Sequence, residues 1–113
     1  MKGWGPYLRE IKGPAPDGMY NPHAHHVLFK SGLGADQKAL VKEGQEILRG
    51  YKIDPIYGKE VLDWAPNGVK GQHAITALKP LVEELRDAKL AGAAYDDIVA
   101  ILKDYKRIAR NRR

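Results

Sequence analysis

His23, His25 and His26 fall within four consecutive positions of a 113-residue chain that has only four histidines and no cysteine. Neutral imidazole is the commonest metal ligand and the side chain best suited to proton transfer near pH 7. The adjacent pair His25-His26 can therefore supply one of each, a ligand and a base beside it. His23, two positions before His25, points to the same face of an extended chain. It reads either as a third ligand or as a loop histidine that supports the other two. His73, the fourth, follows the turn-like Pro66-Asn67-Gly68 and opens a helical pattern. Without cysteine, neither a disulfide framework nor a thiolate zinc site can form.

These side chains need elements to hold them. Residues 1–19 are dense in Gly and Pro and read as a loop-rich arm or linker remnant, with Tyr7–Ile11 as at most a short strand. The histidines run into Val27-Leu28-Phe29, a short buried strand closed by a glycine turn. From Ala35 to Gly50 the period changes to that of an amphipathic helix, with Ala39, Leu40, Glu43, Ile47 and Leu48 as its stripe and Gly44 as a weak point. Glu60–Ala65 alternates as a second strand, and Pro66-Asn67-Gly68 turns the chain. A helix starting at His73 runs on to a stop at Gly92, with Pro80 as a kink or restart. A last helix opens at Tyr95-Asp96-Asp97 and faces the core with Ile98, Val99, Ile101, Leu102, Tyr105 and Ile108.

The length suits one compact domain. No run approaches the roughly 18 apolar residues of a membrane span, and no membrane partner is expected. Met1–Pro6 has no apolar signal core, so export is expected to depend on residues outside this stretch. From Lys103 to Arg113 there are six Lys/Arg and one Asp, which accounts for the whole net charge of +5. Such a basic tail attracts phosphate without reading sequence. It equally suits a solvated helix end, where cations favour the carbonyl end of the dipole.

Three stretches carry a resemblance: Asn21–Lys30, Leu40–Leu48 and Trp64–His73. Together they resemble the AHH family of the HNH/endonuclease VII superfamily, whose Ala-His-His tripeptide stands here at 24–26. The likeness covers roughly residues 20–105. It implies an α+β, predominantly helical fold: a ββα-metal (HNH/His-Me finger) core with a small β-hairpin and about three helices. The nuclease domain would span 20–113. By motif position His25 resembles the first metal ligand, His26 the general base, His73 the closing ligand and Asn67 the motif asparagine that braces or ligates. Read alone, Asn67 is a turn residue. The gap from Asn67 to His73 is short for the motif, which leaves Asp63 as an alternative brace. Ala77 stands where a further histidine would fall one turn after His73, so a third ligand is open between His23, Asn67, Gln72 and none. Lys30, Lys70, Lys106, Arg107 and Arg110 are candidate phosphate contacts, or solvated cations.

The resemblance further implies a metal-dependent endonuclease that cleaves DNA with little sequence specificity. It would be the toxin domain of a larger bacterial delivery protein of the Rhs type, lying N-terminal to it. Such a domain is secreted or injected, acts in the cytoplasm of the target cell and is restrained by a cognate immunity protein. A ribonuclease using the same site and a non-catalytic nucleic-acid-binding module are the alternatives. The chemistry calls for one divalent ion, from Mg, Mn, Zn or Ni. Imidazole donors suit the transition metals better, and Mg²⁺ operates where phosphate oxygens complete its shell.

Overall fold

The computed structural model describes residues 4–19, 22–29, 34–66 and 75–110. In chain order the elements are α1 (Trp4–Lys12), β1 (Pro22–His26), α2 (Gly34–Gly50), β2 (Leu62–Pro66), α3 (Ile75–Leu90) and α4 (Tyr95–Arg110). The chain is thus α+β, and among the described residues two strands, β1 and β2, pair antiparallel. α2 packs on α3, α3 on α4 and α4 on β2, while α1 lies against both strands. Among the described residues, no helix is long and apolar enough to cross a membrane.

The arm is the first correction. Trp4–Lys12 is helical rather than loop or strand, giving one helix more than the sequence suggests. Pro6 falls in the first turn, where its missing N–H has no helical acceptor to lose. Gly13 closes the helix at a φ of 86°, and its N–H bonds Arg9 O at 2.9 Å. A helix this short is marginal in water by itself. Leu8, fully buried in the core, is what holds it.

The strand is the second correction. β1 consists of the histidine stretch itself and ends at His26, before the apolar run. Its register with β2 is Pro22↔Pro66, His23↔Ala65, Ala24↔Trp64, His25↔Asp63 and His26↔Leu62. Proline, which donates no ladder bond, stands at the far end of both strands. Val27, Leu28 and Phe29 are all buried, so they do not alternate as a one-faced strand would. They turn under α2 instead. A Cβ at Gly44 would lie 2.9 Å from a Leu28 methyl, so the weak helix former is what lets α2 pack closely on Leu28. Glu43 leaves the apolar stripe: its carboxylate accepts from Arg86 of α3 at 2.6 Å, and Arg86 holds it below the usual carboxylate range.

The remaining helices follow their signals with local shifts. α2 is closed by a paired-carbonyl cap, in which Ile53 N–H bonds Leu48 O and Lys52 N–H bonds Arg49 O. Lys52 takes the left-handed conformation that glycine usually supplies there, at a φ of 62°. Pro80 lies exposed inside the continuous helix α3, where it has no N–H to give the carbonyl four residues before it. On α4 the buried face is Ile98, Leu102, Lys106 and Ala109, while Ile108 is 45% exposed. The core stripe steps by helical turns straight through a lysine.

Candidate active site

His26, the last residue of β1, is buried. Its Nε2 lies 2.9 Å from the carbonyl oxygen of Ile56. A carbonyl can only accept, so Nε2 carries the hydrogen and Nδ1 is the basic nitrogen of the ring. The carbonyl is itself aimed by a tight turn. Asp54 Oδ1 accepts the N–H groups of Ile56 at 2.9 Å and Tyr57 at 3.0 Å, and Gly58 N–H bonds Asp54 O at 3.0 Å. Those N–H groups, Tyr57 first, hold the Asp54 carboxyl below its usual range. A Cβ at Gly58 would sit 2.5 Å from Asp54 O, so only glycine closes this turn.

Helix α1 covers the same ring. The Trp4 indole meets His26 edge-on, with centroids 4.6 Å apart, and stacks at a tilt on Tyr57 at 5.3 Å. Tyr7 donates its hydroxyl to Tyr57 O at 2.6 Å. His26 is 7% exposed as a result. Asp54, Tyr57 and Gly58 are positioning residues that the sequence alone does not tie to His26. The Asp-Pro-x-x-Gly turn is legible in the chain; its meeting with His26 is not.

His23 and His25 occupy the other side of β1, as strand alternation requires. Their rings lie 5.8 Å apart, edge to face. His23 Nδ1 donates to Ala65 O at 2.9 Å, which leaves Nε2 to carry the lone pair. That is the way a backbone carbonyl orients a metal-ligating imidazole, so the described donors suit a borderline transition metal. Asp63 stands directly across from His25 in the register and shares its face. Its Oδ1 accepts from Arg110 at 2.6 Å. Among the described residues, no group of three or more His, Cys, Asp or Glu gathers for a metal. His73, Asn67, Gln72, Lys70 and Lys30 lie outside the described residues.

Beside Asp63 opens a cleft of about 590 Å³ between α1, β2 and α4. Lys12, Lys103, Lys106, Arg107 and Arg110 line it. Lys106 and Arg110 therefore face the same hollow, which a solvated helix end would not require. Lys106 is 8% exposed. Burial first, then the Lys12 ammonium, pushes it down to about 8; Asp63 pulls the other way and Lys103 adds to the fall.

Unfolded, Lys106 keeps its proton to about 10.5; folded, only to about 8. Between those values the unfolded chain binds more protons, so stability rises with pH across that window. Lys106→Met is expected to be more stable than wild type at pH 7 by about 1–3 kcal/mol. The gap should shrink as pH is raised from about 8 toward 10 in urea denaturation series. A gap that stays constant with pH contradicts this.

No family model, no curated protein and no solved structure matches this chain.

Proposed function

We propose that this chain is a metal-dependent endonuclease that hydrolyses phosphodiester bonds of DNA with little sequence specificity. The observation that carries the reading is the 2.9 Å contact between Nε2 of the buried His26 imidazole and Ile56 O, which suits a ring with its hydrogen on Nε2. A divalent cation held by His25, with His73 and a further donor, would supply electrostatic stabilisation of the scissile phosphate and the departing 3′ oxygen.

The chain's own residues supply the rest. His26 Nδ1 accepts the proton of the attacking water, and the Ile56 carbonyl stabilises the imidazolium that results. Trp4, itself stacked on Tyr57, packs edge-on against the ring and restrains its rotation. His23 is oriented by Ala65 O and stands beside His25 as a second imidazole donor. His25 and His26 leave opposite faces of β1, but their Cα atoms are only about 3.8 Å apart. The reading therefore asks the phosphate to lie across the end of the strand. The resemblance of the histidine stretch extends the proposal to a bacterial toxin domain, delivered by a larger protein and silenced by an immunity protein.

The test is nicking of supercoiled plasmid by the purified chain with Mg²⁺, Mn²⁺, Co²⁺, Ni²⁺ or Zn²⁺ in turn. Nicking with at least one metal, lost in His25→Ala and slower on RNA, is the expected result. A wild type inert with every metal contradicts the proposal.

A further inference from the structure

The cleft beside the hairpin has its own chemistry. It is lined by cations from two separate helices, Lys12 on α1 and Lys103, Lys106, Arg107 and Arg110 on α4, against the single carboxylate of Asp63. Lys12, Lys103, Arg107 and Arg110 are exposed along its walls, while Lys106 is buried. Asp104 offers Arg107 only a loose pairing at 3.9 Å, with both side chains about two-thirds exposed. Arg110 gives one N–H to Asp63, and a guanidinium has five. The cleft is thus short of negative charge.

We propose that this cleft binds the phosphate backbone of the nucleic-acid strand, with Lys106 as the ammonium at its floor and Lys12, Arg107 and Arg110 as its walls. The inference rests on the nuclease reading and deepens it by naming where the substrate is gripped. Three observations favour a phosphodiester chain over an acidic peptide. Asp63 at the cleft stands opposite His25, so a strand lying there runs up to the histidine face. Pro14, Pro16 and Trp64 line the same cleft with apolar surface, which suits the sugars between phosphates. The charges are presented by planar guanidinium and by compact ammonium groups, the two donors that meet phosphate oxygens best. A bound phosphate also returns to Lys106 the counter-charge that burial and Lys12 deny it.

Binding is measured by fluorescence anisotropy of a labelled 20-nucleotide DNA in EDTA, so that cleavage plays no part. Lys12→Gln/Arg107→Gln is the cleft pair, both residues being exposed and safe for folding. Lys38→Gln/Lys42→Gln on α2 removes the same charge outside the cleft. The cleft pair should weaken binding about tenfold or more at 100 mM salt and lower the salt slope by about two. The α2 pair should change affinity by less than about twofold. Lys106→Met should bind at least as weakly as the cleft pair while melting cooperatively. Equal losses from both pairs, or none from the cleft pair, overturn the proposal. So does polyglutamate that displaces the DNA as well as an unlabelled strand of equal charge. Loss of binding in the cleft pair stands whether or not the wild type nicks plasmid, so failure here and failure of the nuclease reading are separate results.

Discussion

His26→Ala is expected to lower the nicking rate by about 10²- to 10⁴-fold at saturating metal and DNA, the range for a positioned general base. In barrier terms that is roughly 3–5 kcal/mol. The expectation is large because the structure commits this ring so fully. Its Nε2 hydrogen goes to Ile56 O, and its ring is clamped between α1 and the Asp54–Gly58 turn. Alanine removes the proton acceptor while leaving the cleft cations in place, so DNA affinity in EDTA should be unchanged. A variant that nicks within about threefold of wild type would mean that water is deprotonated elsewhere. A variant that loses binding and nicking together would mean that His26 serves the fold.

Leu8→Ala should cost about 2–5 kcal/mol of stability, as for a fully enclosed leucine. Leu8 is the one fully buried side chain of α1 and joins the main core. Truncating it loosens the helix that carries Trp4 over His26 and Tyr7 onto Tyr57. Nicking should therefore fall too, at temperatures where the variant is still folded. Ile11→Ala is the comparison: Ile11 is 36% exposed on the same helix and should cost less than about 1 kcal/mol. Urea denaturation of both variants decides the matter. Equal costs would mean that α1 is an appendage with no part in the core.

How much of this was legible depended on whether local pattern or tertiary contact decides each element. α2, α3 and α4 announce themselves by apolar spacing and by stops at Gly50 and Gly92, and they stand close to where that pattern puts them. The hairpin is legible too, although β1 is the histidine stretch and not the apolar run after it. Val27–Phe29 looks like a strand because it is apolar, but residues buried on every side need no period of two. α1 was hidden by Gly5 and Pro6 within it and by the glycines and prolines that follow it. Its stability comes from Leu8 entering the core, a contact between residues far apart in sequence. Lys106 misleads in the same way: composition places it in a basic tail, whereas helical geometry places it in line with Ile98 and Leu102. The histidines were legible as chemistry, but the ring contacts of His23 and His26 were not, since each is made to a carbonyl 30 or more positions away.

The account stands on His25 and His73 sharing one cation, and Co²⁺ titration reports that directly. Tetrahedral or five-coordinate Co²⁺ with imidazole donors gives d–d bands far more intense than the weak absorption of hexa-aqua Co²⁺. Wild type is predicted to develop those bands to an end point of one ion per chain, and His25→Ala and His73→Ala should each abolish them while His26→Ala keeps them. Undiminished bands in His73→Ala, or none in wild type, would contradict the shared site.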